Sequence, residues 1–299
     1  MPKLNLSQTV IQLLKENPEK QFTTKQIAEE ICKIKPEECE AKLKRSKNLK
    51  TYEELIQQLG AEIGADKTIT KDGLVKITAD RPRKFYYSNK SDEEEIAEVE
   101  QNKASKPLEE EIYPLVCDYL YNVLGLYPKR IDEKTSSNTK GKNGNKWLHP
   151  DIVGIKNLTE NWNDKIKVYA EVGFYTKVSL WSFEVKLKVN RANVRECFFQ
   201  AVSNSSWANF AYLVVLDVSY DAMEELKILC PPHKIGVIKL DTDDVNESQI
   251  IIPASKREKV DLDMMNRIAG ENGDFKKYID AIVVFNKSGK IVKEDWDRC

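Results

Sequence analysis

The chain has 299 residues, a length that predicts two domains. Charged residues make up 32% of it, yet 47 Lys/Arg against 48 Asp/Glu leave a formal net charge of −1, so global charge selects no partner and any nucleic-acid contact must come from local patches. Six cysteines (Cys32, Cys39, Cys117, Cys197, Cys230, Cys299) form no Cys-x-x-Cys pair, and with only His149 and His233 beside them no zinc site is expected.

The first helix is expected to start at Ser7 as N-cap, with Leu6, Val10, Leu13 and Leu14 inward and a stop near Pro18. Thr23 or Thr24 caps a second helix that turns Ile27 and Ile31 inward. Pro36 opens a third over about Glu37–Arg45. Thr51-Tyr-Glu-Glu54 is a capping box opening a fourth, whose Tyr52, Leu55, Ile56, Leu59 and Ile63 share one face. Two short strands follow, Leu74–Thr78 and Lys84–Ser88, joined by Ala-Asp-Arg-Pro-Arg. Helices followed by a basic-tipped hairpin read as a winged helix-turn-helix over residues 1–90. Those ninety residues hold 18 Lys/Arg against 13 Asp/Glu, a net of about +5. Lys47 and Lys50 in the basic stretch, and Arg81, Arg83 and Lys84 at the hairpin, are the expected phosphate contacts. A protein-binding role for the same domain stays open.

Residues 91–107 are acidic and polar and read as a linker, in part helical. A domain over 108–299 opens with a helical stripe (Leu108, Ile112, Leu115, Val116, Tyr119, Leu120, Val123) ended by Gly125. The polar, Gly-containing stretch from Arg130 to Trp147 leads into Trp-Leu-His-Pro-Asp151, and Lys142 and Lys146 within it are placed to approach phosphate. His149 is read as packing rather than carrying protons. Val168–Phe174 is expected to be an extra strand between the two key motifs, with Glu171 as a competing acid.

Asp151 opens the apolar run Ile152-Val-Gly-Ile155. Glu184 and Lys186 lie two apart in Trp181-Ser-Phe-Glu-Val-Lys-Leu187, and residues two apart on a strand point to one face. If the two strands are neighbours, Asp151 joins them. Two carboxylates and an ammonium then form a site for a hard divalent cation with a charge stabiliser beside it. A helix is expected from Arg191 to about Trp207, then the strand Phe210–Val218, a helix over Tyr220–Leu229, and a strand over Ile235–Leu240 parallel to Phe210–Val218.

Pro150-Asp151 followed by Glu184-x-Lys186, in the order helix, strands, helix, strand, resembles the PD-(D/E)xK nuclease superfamily. Six segments carry a closer resemblance: Pro36-Glu-Glu-Cys-Glu, Arg81-Pro-Arg-Lys-Phe-Tyr-Tyr, Arg130-Ile-Asp-Glu-Lys, Asn143-Gly-Asn-Lys-Trp-Leu-His-Pro-Asp, Leu180-Trp-Ser-Phe-Glu-Val-Lys-Leu and Phe198-Phe-Gln-Ala-Val-Ser-Asn-Ser-Ser-Trp-Ala-Asn. They are similar to a bacterial family, found near restriction–modification genes, that pairs a HARE-type winged helix with a restriction-endonuclease-like domain. The resemblance implies an α+β or α/β fold with a mixed central sheet in the second domain. It implies Mg²⁺ (or Mn²⁺) on Asp151 and Glu184, catalysis by Lys186, and contributions from Gln200 on the following helix and Glu111, with Glu110 in reserve, on the first. The implied activity is phosphodiester hydrolysis of DNA, duplex DNA being the expected partner. A non-cleaving DNA-binding regulator or modification reader on the same scaffold is the rival reading, and a protein-interaction module a third. RNA in place of DNA and a homodimer both stay open. With no membrane-spanning run or signal peptide, a cytoplasmic location and no membrane partner are expected.

Overall fold

The computed structural model describes residues 4–18, 20–46, 49–102, 107–137, 145, 147–173 and 175–297. The protein is mixed α+β and divides into two compact units, one of 1–97 with 218–223, the other of 98–217 with 224–299. No helix among the described residues is long and apolar enough to cross a membrane.

The first unit begins with α1 (Leu6–Lys15). Its cap is Asn5 rather than the expected Ser7, with the Asn5 side chain accepting from the Gln8 N–H at 3.4 Å; Ser7 lies inside the helix and donates instead to Asp66 at 2.5 Å. A short strand β1 (Phe22–Thr23) runs into α2 (Thr24–Ile34), where Thr23 and Gln26 form a capping box. α3 (Pro36–Arg45) starts at its proline, whose missing N–H is no loss at a helix start. α4 (Tyr52–Ala65) starts at the Thr51–Glu54 capping box. β2 (Val75–Ile77) and β3 (Lys84–Tyr87) form an antiparallel hairpin, and β1 adds to its far side to give the order β1-β3-β2. Val10, Leu14, Ile27, Ile31, Leu55, Leu59, Ile63 and Phe85 fuse helices and sheet into one core. Each such side chain contributes on the order of 1.5–3 kcal/mol by leaving water. Tyr52, read as inward, is 40% exposed. α5 (Asp92–Asn102) occupies most of the expected linker. It is tied down by its Glu95, buried against Lys76 at 2.6 Å and Ser88 at 2.8 Å.

The second unit holds a six-stranded mixed sheet in the order β4-β5-β6-β7-β8-β9. α6 (Pro107–Asn122) leads to Gly125, whose φ of +65° takes the chain through the left-handed region and down into β4 (Tyr127–Arg130). β4 is an edge strand, the position where its Pro128 is tolerated. β5 (Ile152–Asn157) pairs antiparallel with β4 and with β6 (Val178–Val189), in the register Ile152↔Phe183. Between them Asp164–Val172 is a helix, α7, where a strand was expected. Asn163 caps it by accepting from Lys165, and of this helix only Ala170 is buried. Phe174 lies outside the described residues. α8 (Val194–Ser203), β7 (Phe210–Val218), α9 (Tyr220–His233) and β8 (Ile235–Lys239) follow, with β7 and β8 parallel. β9 (Gln249–Ile252) closes the sheet antiparallel to β8, and α10 (Leu262–Glu271) and α11 (Gly273–Ser288) complete the unit.

The strands are apolar on both faces. Ile152, Phe183 and Val185 pack with Ile112, Val116 and Leu120 of α6. Val153, Ile155 and Val178 pack on the other side with Phe275, Tyr278 and Phe285 of α11. The junction of β5 and β6 is therefore held from both sides.

Candidate functional site

Asp151 stands one residue ahead of β5 and continues its ladder, its N–H donating to the Phe183 carbonyl at 3.1 Å. Its carboxylate takes over where a strand carbonyl would otherwise accept: Oδ2 receives the Val185 N–H at 2.7 Å. Pro150 just before it has no N–H to leave unpaired at the point where the strand begins. Glu184 and Lys186 project from one face of β6, and their side chains form a direct hydrogen-bonded ion pair. Glu184 is 1% exposed. Its second oxygen accepts from the amide of Asn204, just past α8, at 2.7 Å. The structure thus brings Asp151, at the start of β5, against Glu184 and Lys186 in the interior of β6.

Burial raises the proton affinity of Glu184, and the neighbouring Asp151 carboxylate raises it further; against the pull of Lys186 and Asn204 its carboxyl is pushed up to about 8. Burial acts in the opposite sense on Lys186, but Glu184 and Asp151 outweigh it and hold the ammonium charged above its ordinary range. Near neutral pH the site therefore carries a firm Lys186 cation beside a Glu184 whose burial favours its protonated form, the two side chains sharing one hydrogen bond.

Two residues that the sequence reading did not assign support Asp151. The Arg130 guanidinium lies 3.7 Å over the Tyr113 ring, donates to the Asp151 carbonyl at 2.6 Å and to the Ile131 carbonyl, and approaches the Asp151 carboxylate at 3.9 Å. The Tyr113 hydroxyl faces the same carboxylate at 3.5 Å. α6 therefore reaches the site through Tyr113. Glu111, two residues earlier and some 200° around the helix, is exposed, and the side chain of Glu110 lies outside the described residues. Gln200 is half-buried on α8 and makes no side-chain hydrogen bond with the described residues; Asn204, one turn further along the same face, is the amide that meets Glu184. Glu171 sits on α7, exposed and paired with Lys177 at 3.4 Å. His149 is half-buried between Ser136 at 3.4 Å and the Pro150 carbonyl at 3.2 Å.

No family model, no curated protein and no solved structure matches the chain.

Among the described residues no group of three or more His, Cys, Asp or Glu side chains converges as a metal cage. A hard cation of the Mg²⁺ type does not require one, since it binds through one or two carboxylates and keeps several waters. Asp151 and Glu184 supply that donor set. A further oxygen, Oδ1 of the Asn204 amide that meets Glu184, is buried with no hydrogen-bond partner among the described residues. The residues present fit such an ion.

Of the expected phosphate contacts, Arg81 and Arg83 are exposed between β2 and β3, Lys84 is half-buried at the start of β3, and Lys50 is exposed ahead of α4. Lys47, Lys142 and Lys146 lie outside the described residues. Part of the basic run on α3 is already engaged: Lys42 pairs with Glu62 and Lys44 with Glu40.

Proposed function

We propose that the chain is a DNA-binding, divalent-metal-dependent endonuclease of the PD-(D/E)xK type, with a HARE-type winged helix-turn-helix over residues 1–90 and the nuclease-like domain over 108–299. The observation that carries this is the meeting of Asp151, Glu184 and Lys186 at the β5–β6 junction, with Glu184 fully buried and hydrogen-bonded on both oxygens. A structural ion pair has no need of a second carboxylate that raises the proton affinity of the first.

Mg²⁺ or Mn²⁺ on Asp151 and Glu184, when bound, supplies Lewis-acid polarisation of a phosphate oxygen and a more acidic water. The chain's own groups do the rest. A cation held there would favour the ionised form of Glu184. Lys186, held by its hydrogen bond to Glu184, would present its ammonium to charge that builds on the phosphoryl oxygens. The Val185 N–H fixes the Asp151 carboxylate, and Arg130 holds the same residue by its carbonyl. Duplex DNA is the proposed substrate, with a 5′-phosphate product, and the basic hairpin of the first unit is the proposed anchor, adding affinity by linkage. A role in restriction or in recognising modified DNA follows from the family resemblance.

The alternative is a DNA-binding regulator or modification reader that does not cleave. The direct closure of Lys186 on Glu184 favours it, because the ammonium occupies a Glu184 oxygen that a cation would need.

Incubating the full chain with Mg²⁺ or Mn²⁺ and a panel of plain, methylated and single-stranded DNA tests the proposal. The wild type is expected to cut at least one member. Asp151→Ala, Glu184→Ala and Lys186→Ala are each expected to lose at least about 100-fold in rate while keeping the wild-type circular dichroism spectrum. A variant that cuts at the wild-type rate removes its residue from the site. A wild type that binds DNA and cuts no panel member establishes the reader instead.

A further inference from the structure

Asn204 is 0% exposed, and every polar atom it carries is engaged except one. Its N–H donates to the Gln200 carbonyl at 3.0 Å. Its carbonyl accepts from the Trp207 indole at 2.7 Å and from the Ser182 hydroxyl at 3.3 Å. Its side-chain amide donates to Glu184 at 2.7 Å. Among the described residues Oδ1 alone has no partner. A buried acceptor without a donor is expensive, and native proteins leave few of them. The backbone of Asn204 already ties the end of α8 to β6, so holding that helix does not explain the side chain. A hydrophobic residue of similar size would fill the space without an orphaned oxygen.

We propose that Asn204 is a positioning residue of the cation site, an inference that rests on the function proposed above. Its amide N–H fixes the rotamer of Glu184, and its free Oδ1 accepts a hydrogen bond from the hydration shell that a Mg²⁺-type ion retains. The orphaned oxygen is the part of the site that only the loaded protein satisfies.

Mn²⁺ titration of the full chain by calorimetry, without DNA, tests this. Asn204→Ala keeps all three backbone contacts and is expected to fold. Its Mn²⁺ affinity is expected to fall about 10- to 100-fold, the usual effect of losing a residue that orients a ligand, with its melting temperature in chelator close to wild type. Asn204→Asp cannot donate to Glu184 and adds a third negative charge. It is expected to melt below wild type in chelator and to regain that deficit as Mn²⁺ is added. If wild type binds Mn²⁺ and Asn204→Ala binds it equally, the role of Asn204 is refuted while the metal site stands. A deficit of Asn204→Asp that Mn²⁺ leaves unchanged makes the residue merely structural. If wild type binds no Mn²⁺, the proposed function falls, and this inference with it.

Discussion

Glu184 is where burial, a like charge and an opposite charge meet, and its ionisation couples the site to the stability of the fold. Its carboxyl is raised to about 8 from an ordinary value of 4.5. The folded state therefore binds more protons than the unfolded state between those limits. The resulting stabilisation is fully present below about pH 4.5 and is lost as pH rises through about 8. Lys186 is shifted upward from 10.5, so its contribution is constant in that window and adds no pH dependence there. In chelator, wild type is expected to lose stability relative to Glu184→Gln across pH 5–8, by at most about 1.4 kcal/mol per pH unit. Urea midpoints of the two proteins at four pH values measure this, and a constant difference would show that Glu184 titrates as an ordinary surface acid. The spacing of Glu184 and Lys186 announces their shared face, because strand periodicity alone puts them there. Asn204, Arg130 and Tyr113 are not legible in the same way. They come from three other elements, and only tertiary packing makes them neighbours of the acids.

At the scale of elements, capping residues were the clearest signal. Thr23 and Thr51 each form the reciprocal box that their spacing to Gln26 and Glu54 requires, and Pro36 opens its helix. Thr51→Ala is expected to cost about 1 kcal/mol, because α4 carries three residues of the first core, Leu55, Leu59 and Ile63. Thermal unfolding followed by circular dichroism should register a drop of several degrees; no change would mean that α4 is held by packing alone. Short segments carry no periodic signal, and an ambiguous one suggests the wrong element. β1 has two residues and β4 four with a central proline, too few for a periodic pattern. In α7 apolar residues at alternate positions mimic a strand, and Asn163 as cap was the overlooked sign of a helix. Beyond Leu240 the sequence reading assigned no element, although α11 supplies Phe275, Tyr278, Ala281, Ile282 and Phe285 to the core. Its apolar residues recur at helical spacing, so this helix was legible in the sequence.

For the whole molecule, near-zero net charge conceals an uneven distribution, with the first ninety residues about +5 and the remainder acidic. DNA binding through the β2–β3 hairpin should then depend steeply on salt although the chain is close to neutral. Replacing Arg81 and Arg83 together by Ala is expected to weaken binding and to flatten the slope of log affinity against log salt by about two phosphate contacts. Fluorescence anisotropy of a labelled duplex at several salt concentrations reads this, and an unaltered slope would move the DNA contact elsewhere. The division into helices with a small sheet, then a larger mixed sheet, was legible because apolar strands as long as Phe210–Val218 and Trp181–Leu187 leave little choice of class.

Joint binding of one divalent cation by Asp151 and Glu184 is open to calorimetric titration of Mg²⁺ into the full chain near pH 7. Wild type is predicted to bind one ion per chain. It should release a proton as Glu184 ionises, seen as a heat that varies with the ionisation enthalpy of the buffer. Its melting temperature should climb with Mg²⁺ concentration, and Asp151→Ala and Glu184→Gln should lose both responses. Equal heats and equal melting shifts in wild type and Glu184→Gln would contradict the account, leaving Glu184 and Lys186 as a buried ion pair in a protein that binds without cutting.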